Sequence, residues 1–483
     1  MSYATLSESA IEGLLALDDS QSGQSFVNAS SFGPSFDPSV FESNMAMKNA
    51  DLSILEHPDA TFEGPSLVAV GSAWALELDV EDAVIVALAD LRASIGHAHF
   101  LVVSYSSNWS PEDIQLLLAT HAPDVPYVGG TIARGICDDE AWIAKHKHSN
   151  EGLIAIWGVH DPLGTYVVGH TEYDQLSARR EVHHAMATSY MSTGATPEFC
   201  MLFASPLFIE DALEGARSGA RHCPLVGGCA TSANSKTWSQ ISSARGFTQL
   251  GLSYCLAAPS VKTVVSWFSG YGSLAAHDCV GPATDVAHKT VHEISGRPAA
   301  DVYYEWLAMA AEKNQTDLGK TRLPKLGNIH PIGVLIPTSP ASGDLVVRNT
   351  PVVLDLTAHS VTVSSPIEVG ATIALMELST ETLLAAVESW GQEITSQHLL
   401  PTSQVTGCLL FMSASVQALL GASAMAEMVG ACQRWTKNAP FLALSTYGQI
   451  GQATDHGHST PLYDPLMFAS VVFTSESKRA SDA

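Results

Sequence analysis

Three segments of the chain share one pattern, and this repetition constrains the fold more than any other feature of the sequence. In each segment a continuous apolar run ends at a serine, a helical stretch follows, and a proline opens a second short apolar run. The segments span residues 99–131, 199–229 and 407–445. Apolar runs of this kind, without polar alternation, are typical of strands that are covered on both faces.

A further apolar run follows each segment, at residues 153–159, 250–257 and 466–473. Each repeat is therefore predicted to be a β-α-β-β unit. The sequence predicts an α/β (α+β) protein in which repeated β-α-β-β units form two pseudo-symmetric halves, with sheets covered by helices. The interval between the second and third repeats is wide, so we also expect a degenerate fourth unit, with residues 299–312 and 330–336 as its remnant.

Charge is scarce in this chain and its balance is acidic. Charged residues make up 15% of the sequence and the formal net charge is −26, whereas ordinary soluble proteins carry about 25% charged residues. Since no basic stripe is present, we expect neither nucleic acid nor membrane as a partner. So little charge requires a large core or self-association, and we expect a homo-oligomer.

The cysteines indicate the compartment. All 8 are dispersed, most lie inside apolar runs, and no Cys-x-x-Cys pair occurs. Buried thiols in a reducing environment fit this pattern better than a disulfide framework or a zinc site. We therefore expect a cytoplasmic protein, or one inside an organelle after removal of a transit peptide.

Two glycine pairs lie where a strand of the repeat leaves its sheet. They are Gly129-Gly130 in the first unit and Gly227-Gly228 in the second. Glycine lets a ligand approach the backbone closely, which makes these turns candidate floors of a pocket, and tight packing explains them equally well. Because equivalent units pack with like ends aligned, we expect the two pairs to lie close together.

Catalytic chemistry has little support. Cys229 is the best-placed thiol, just after a strand and near His222 in sequence, yet a cysteine in such a place is more often a small buried residue. No His-Glu-x-x-His motif accompanies the 19 histidines, so we expect no metal or haem cofactor. Three serines end strands of the repeats, namely Ser104, Ser205 and Ser413. We expect their hydroxyl groups to satisfy backbone groups there.

Residues 296–307, Gly-Arg-Pro-Ala-Ala-Asp-Val-Tyr-Tyr-Glu-Trp-Leu, resemble the block that opens the C-terminal half of FIST (F-box and intracellular signal transduction) proteins. Further blocks follow the order of the same family, at residues 125–131, 151–162, 224–228, 330–333, 346–348, 370–377 and 446–450. The resemblance implies a FIST-N-like domain at 63–262 and a FIST-C-like domain at 263–474. A partly ordered arm (1–62) and a disordered tail (475–483) would flank them.

The C-terminal blocks depart from the family pattern. A Cys and an Arg that many relatives carry are missing from residues 412–417, and Gln449 stands where the family has Glu. Either the ligand differs from that of relatives, or this pocket no longer binds one.

The resemblance implies a non-catalytic, sensory protein that binds a small molecule. A self-assembling scaffold that reuses the fold is the main alternative, and a haem-binding gas sensor is the third. The candidate ligand-binding residues are Gly129, Gly130, Thr131, Gly227, Gly228, Cys229, Thr446 and Tyr447.

Overall fold

The computed structural model describes residues 68–477, apart from 134, 145–149, 222, 233–236, 245, 275–277, 315–326, 337–344, 350, 364–365, 402, 456–457 and 465. The predicted N-terminal arm lies outside the described residues. The predicted tail begins too early, because the last strand extends to Ser477 and pairs there with Val261.

The first two repeats have the same sequence of elements. The first unit consists of β1 (Ala69–Glu77), α1 (Val80–Ile95), β2 (Phe100–Ser106), α2 (Pro111–His121), β3 (Tyr127–Ile132), β4 (Gly135–Asp138), β5 (Trp142–Ala144) and β6 (Gly152–His160). The second unit consists of β7 (Thr165–Glu172), α3 (Ala178–Ser192), β8 (Phe199–Ala204), α4 (Ile209–Gly219), β9 (Leu225–Cys229), β10 (Gln240–Ser242), β11 (Gly246–Thr248) and β12 (Gly251–Ala258).

The third repeat is interrupted after its first strand, β13 (Val261–Ser269). The insertion consists of β14 (Gly272–Ser273), β15 (Val280–Ala287), β16 (Thr290–Ile294), β17 (Arg297–Pro298), α5 (Ala299–Asn314), β18 (Ile332–Ile336), β19 (Leu345–Asn349), β20 (Pro351–Asp355), β21 (Ser360–Val363) and β22 (Thr372–Glu377). The repeat then resumes with α6 (Thr380–Glu393), a π-helical turn (Ile394–His398), β23 (Val405–Ser413), α7 (Ala414–Thr436), β24 (Phe441–Thr446), β25 (Gln449–Asp455), β26 (His458–Asp464) and β27 (Met467–Ser477).

Each unit builds one sheet around a parallel strand pair. The strand orders are β1-β6-β2-β3 in sheet I, β7-β12-β8-β9 in sheet II and β13-β27-β23-β24 in sheet III. The last two strands of each order are parallel, and the other pairings are antiparallel. The predicted α/β class and its repeated β-α-β-β units are confirmed. Two repeats form the N-terminal half, and the third forms the C-terminal half together with the insertion.

The first strand of each unit is missing from the sequence prediction. Strands β1 and β7 lie at the edge of their sheets and contain partly exposed positions among the buried ones. They therefore lack the continuous apolar run that marks a strand covered on both faces.

The three sheets are completed by an exchange of hairpins. The hairpin β10–β11 of the second unit pairs with β3 of the first, β25–β26 of the third pairs with β9 of the second, and β4–β5 of the first pairs with β24 of the third. Each hairpin thus extends the sheet of another unit. This cyclic exchange ties the three repeats into one pseudo-threefold body.

The main core lies where the three sheets face one another. Residues from all three repeats form it, among them Val102, Trp157, Phe203 and Phe411. Separate clusters fill the space between each sheet and its own helices. The central strands are therefore covered on both faces, which explains their continuous apolar runs.

The predicted fourth unit is not formed by the described residues. Strand β18 pairs antiparallel with β19 and β22, inside a nine-stranded sheet that the insertion builds. Helix α5 packs on β16 and β21 of this insertion and contributes to its own core. The wide interval between the second and third repeats is therefore an inserted antiparallel sheet.

Among the described helices, α7 is long and apolar enough to cross a membrane by length and composition only. Of the most apolar 18-residue stretch of this helix, 44% is buried inside the protein. The buried side chains Met425, Met428 and Cys432 pack in the core between sheet III and its helices. One such helix is weak support for a membrane span.

Candidate functional site

Equivalent backbone hydrogen bonds join the carboxyl ends of the three parallel strand pairs. In each bond, an N–H group just beyond the last parallel strand of one unit donates to a carbonyl group at the end of the same strand in another unit. The bonds run from Thr231 to Thr131 (2.9 Å), from Tyr447 to Cys229 (3.0 Å) and from Ala133 to Ser445 (3.3 Å). Together they close a ring through all three units, which we call the strand-end junction.

The two glycine pairs lie at this junction, as the sequence predicts. A β-carbon added to Gly130 would lie 3.2 Å from the β-carbon of Ala230 and 3.3 Å from Cδ1 of Phe203, both in the second unit. The proximity of the first and second glycine turns is thus confirmed.

Neighbouring atoms fill the space beside these glycines. A β-carbon on Gly228 would meet the side chain of Thr446, and one on Gly129 would meet the carbonyl group of Val103. The glycines therefore allow close packing between strands and between units. Their assignment to ligand binding stays a prediction.

The register places Ser104, Gly130 and Gln240 in one row across sheet I. Ser104 and Gly130 lie on the same faces of their strands as Val102 and Val128, which belong to the core between the sheets. Gln240 lies on the face opposite to that of Ile241, which packs on the helix side, so Gln240 also faces the core between the sheets. The place that a β-carbon of Gly130 would take is closely bordered by the carbonyl oxygen of Ser239, at 2.9 Å, and by Ala230 and Phe203.

Both polar groups in this row lack hydrogen-bond partners. Gln240 and Ser104 are 0% exposed. The hydroxyl oxygen of Ser104 and both amide atoms of Gln240 make no hydrogen bond. Most buried polar atoms in proteins are paired, so three unpaired atoms in one row require an explanation.

The equivalent row in sheet II is partly satisfied. It runs through His170, Ser253, Phe203, Gly228 and Gln449. There the Nε2 atom of Gln449 donates to the hydroxyl oxygen of Thr446 (3.1 Å), and its Oε1 atom has no partner. The row in sheet III is apolar and runs through Trp267, Ala469, Phe411, Leu444 and Ile136.

The polar rows of sheets I and II lie against each other. Strand β10 packs on β7 and β12 of sheet II, because its hairpin belongs to the second unit. On sheet II the Nδ1 atom of His170 lies 3.1 Å from the hydroxyl oxygen of Ser253. The interface between the first and second units is therefore the polar side of the strand-end junction.

A third glutamine lies on the helix side of the junction. The Oε1 atom of Gln417 on α7 accepts a hydrogen bond of 2.9 Å from the hydroxyl group of Ser445. Its Nε2 atom is unpaired, and the residue is 4% exposed. Buried amide groups with unused hydrogen-bonding atoms therefore lie at the strand ends of all three sheets, although the row of sheet III that faces the core is apolar.

Cys229 is not arranged as a nucleophile. Its sulfur donates a weak hydrogen bond to the carbonyl oxygen of Ser205 at 3.8 Å, and burial raises the pKa of the thiol far above its usual range. Burial also raises the pKa of Tyr447 to about 12. Both side chains are therefore neutral near pH 7, and His222 lies outside the described residues.

The strand-end serines satisfy backbone groups, as expected, with one change of register. The serine of the first unit that matches Ser205 and Ser413 is Ser106, not Ser104. Ser106 accepts a hydrogen bond from the N–H group of Leu153 (2.9 Å), and Ser413 caps α7. Ser104, two residues earlier, points into the core and has no such role.

Three histidine rings meet at the opposite end of sheet I. The ring of His99 lies between those of His97 and His160, with centroids 5.0 and 4.9 Å apart. The N–H group of Asp161 donates to Nδ1 of His99, and burial, followed by the two neighbouring rings, lowers the pKa of His99. In the described part of the chain, no group of three or more His, Cys, Asp or Glu residues is arranged to hold a metal ion.

Fold and site define an α/β protein of three hairpin-linked repeats with a buried, uncharged polar junction. The sequence matches the FIST N domain over residues 99–297 and the FIST C domain over residues 299–452. The chain belongs to the FIST family, and the resemblance predicted from its sequence is confirmed.

Similar solved structures include two cyanuric acid hydrolases. One shares 7% identity, covers 42% of this chain and 72% of its own, and has a TM-score of 0.26. The other, from A. caulinodans, shares 10% identity, covers 84% and 99%, and has a TM-score of 0.30. Likeness at this level assigns neither a mechanism nor a ligand. No curated protein matches the sequence.

Proposed function

We propose that this FIST protein is a non-catalytic sensor that binds a small molecule at the strand-end junction. The observation that carries the proposal is the set of buried glutamine amides with unpaired atoms, Gln240, Gln417 and Gln449, which are at most 4% exposed. FIST domains are sensory and ligand-binding domains of signal transduction, so ligand binding is the role that the family supports.

The folded protein leaves hydrogen bonds unmade at these amides. Leaving a buried polar group unpaired costs about 1–3 kcal/mol. A ligand that pairs with these atoms recovers that free energy on binding, and a natural sequence retains such groups where function requires them. The unpaired amides at the junction are therefore candidate ligand contacts.

The absence of activated groups supports binding without catalysis. Among the described residues at the junction, the thiol of Cys229 is held neutral by burial. The hydroxyl groups of Thr131 and Ser445 are engaged with the N–H group of Ser239 and with Gln417. None of these groups is paired with a base that would turn it into a nucleophile.

The hairpin exchange provides a route from binding to signal. Gln240 belongs to the second unit, but it extends the sheet of the first. A ligand that contacts both Gln240 and Ser104 would fix the position of one unit relative to the other. A ligand acts as a signal when it binds one such arrangement better than another.

A thermal-shift screen of the wild-type protein against a small-molecule library tests this function. We expect at least one compound to raise the melting temperature in a concentration-dependent manner, because a ligand that binds only the folded state stabilises it. Mass spectrometry should recover the compound unchanged after prolonged incubation.

The double variant Q240M/Q449M removes two of the unpaired amides, so the compound should no longer raise its melting temperature. Conversion of the bound compound would contradict the non-catalytic proposal. Equal stabilisation of the double variant would place the ligand elsewhere, and a library without any stabilising compound would refute ligand binding.

A further inference from the structure

We propose that His99 and Asp161 form a pH-sensitive latch, in which protonation of His99 breaks a hydrogen bond at the point where the linkers between the three units are connected. The latch lies at the amino end of β2, opposite the strand-end junction, and it does not depend on the proposed function. His99 directly precedes β2 of the first unit, and Asp161 lies in the linker from β6 to β7.

The side chain of Asp161 holds parts of all three units together. Its Oδ2 atom accepts hydrogen bonds from the hydroxyl group of Tyr166 on β7 (2.9 Å) and from the N–H group of Ser260 (2.9 Å). Its Oδ1 atom accepts from the hydroxyl group of Ser260 (2.5 Å). Ser260 lies in the linker that leads from β12 into β13 of the third unit. One carboxyl group, 0% exposed, thus connects the linkers before and after the second unit.

His99 holds the backbone of the same residue. Its Nδ1 atom accepts a hydrogen bond of 3.1 Å from the N–H group of Asp161. An imidazole nitrogen accepts only while it carries no proton, so this bond requires the neutral tautomer with its proton on Nε2. Protonation of His99 places a second N–H group opposite that of Asp161. The bond is then lost, because two donors face each other.

The surroundings of His99 determine the pH at which this bond is lost. The titratable groups that face it are His160 and His97, with ring centroids 4.9 and 5.0 Å from its own, and the carboxyl group of Asp161. Burial lowers the pKa of His99 most, the two rings lower it further, and Asp161 raises it. The bond is therefore kept at neutral pH and lost in acid, below the ordinary histidine pKa of about 6.5.

Protonation also disturbs the side chain of Asp161. A positively charged His99 attracts the Asp161 carboxyl group, and this attraction competes with the hydrogen bonds from Ser260 and Tyr166. Burial raises the pKa of Tyr166, so its hydroxyl group stays protonated and cannot accept a proton's place in the contact. The loss of the His99 bond is therefore expected to loosen the linkers at both Asp161 and Ser260.

The second unit makes the equivalent contact without a histidine. Phe199 begins β8 as Phe100 begins β2, and the residue before it is Glu198. The Oε1 atom of Glu198 accepts a hydrogen bond of 3.1 Å from the N–H group of Thr263 on β13, and this carboxyl group also lies near Tyr166. A glutamate offers two acceptor oxygens, whereas an imidazole has one acceptor nitrogen and loses it on protonation. We therefore expect the pH response to start at His99.

Hydrogen–deuterium exchange of the full-length protein between about pH 5 and pH 8 tests the latch, once rates are corrected for the intrinsic pH dependence of exchange. Peptides that contain the amides of Asp161 and Ser260 should lose protection about two- to tenfold in acid, as expected for one hydrogen bond. Peptides from the strand-end junction, such as one that contains Leu225–Cys229, should keep their protection.

Three variants distinguish the latch from a general effect of acid. H99N keeps an acceptor but has no ring to protonate, so its linker peptides should stay protected throughout this pH range. H97N removes a ring that opposes protonation of His99, so the midpoint of the loss should move to higher pH. H183N is the matched control, since it makes the same change at an exposed histidine on α3 whose Nδ1 atom contacts Ser218, and it should behave like the wild type.

Constant protection of the wild-type linkers, an acid loss in H99N equal to that of the wild type, or an unchanged midpoint in H97N would overturn the inference. An equal loss of protection at the strand-end junction would also overturn it, because the whole protein would then be opening.

Discussion

Replacement of Gln240 by methionine should stabilise the protein in the absence of any ligand. Both amide atoms of Gln240 are buried without partners, and an unpaired buried polar group costs about 1–3 kcal/mol. Methionine is similarly long and unbranched and brings no polar atoms that require pairing. The free energy of unfolding of Q240M should therefore exceed that of wild type by about 1–3 kcal/mol.

The size of the chain determines how this change appears in a melting experiment. With an unfolding entropy of about 2.1 cal/mol/K per residue, a folded body of about 400 residues gains about 1 °C in melting temperature per kcal/mol. The expected rise is therefore about 1–3 °C, and urea denaturation followed by circular dichroism gives the free energy more directly.

The opposite sign is expected for Q449M, because Gln449 donates to Thr446 and the substitution leaves that buried hydroxyl group without its partner. The pair of variants thus separates an unused amide from a used one. A loss of more than about 1 kcal/mol in Q240M, or the same change in both variants, would refute the reasoning that the Gln240 amide is kept for a ligand.

Three further outcomes are expected. The pKa of His99 is lowered in the folded protein, so acid protonates this residue in the unfolded chain first and destabilises the wild type. The variant H99N keeps an acceptor for the N–H group of Asp161 but does not titrate. Its melting temperature should therefore fall less steeply than that of the wild type below about pH 6.5. Equal slopes would contradict this. C229S should bind the screened ligand within about twofold of wild type; rapid alkylation of Cys229 at neutral pH would contradict its buried, neutral state. Light scattering at micromolar concentration should show a dimer or larger species, since Leu176 and Leu163 are 95% and 75% exposed; a strict monomer would contradict self-association.

The sequence predicts the repeat because the strands that carry it are covered on both faces. Strand β8 is buried along its whole length, and so is β3. Such strands leave continuous apolar runs that can be recognised without a structure. Strand β1 lies at a sheet edge, where a half-exposed pattern resembles that of many other surface segments, and it escaped prediction for this reason.

The exchange of hairpins could not be predicted in this way. Strand β10 spans three residues, and its partner β3 lies more than a hundred positions away in another unit. Nothing local in the sequence specifies which sheet edge so short a strand joins, because edge pairing depends on backbone groups that every residue carries.

The same limit explains why Gln240 was missed. It lies in a polar stretch after Trp238 and Ser239 that is typical of a surface loop, and its burial becomes evident only when β10 is paired with β3. The usable signal was the glycine opposite it, Gly130. Its lack of a side chain marks Gly130 in the sequence, but nothing in the sequence connects it with the glutamine across the sheet.

The most direct test of a small-molecule site at the strand-end junction is nuclear magnetic resonance of the glutamine side chains. Protein labelled with ¹⁵N at the glutamine side-chain amide gives one pair of signals per glutamine, and the pair that Q240M removes belongs to Gln240. Addition of the compound found by screening should shift that pair more than the pairs of glutamines outside the junction, because it forms new hydrogen bonds there. A ligand that binds the protein and leaves the Gln240 signals in place would contradict the proposed site.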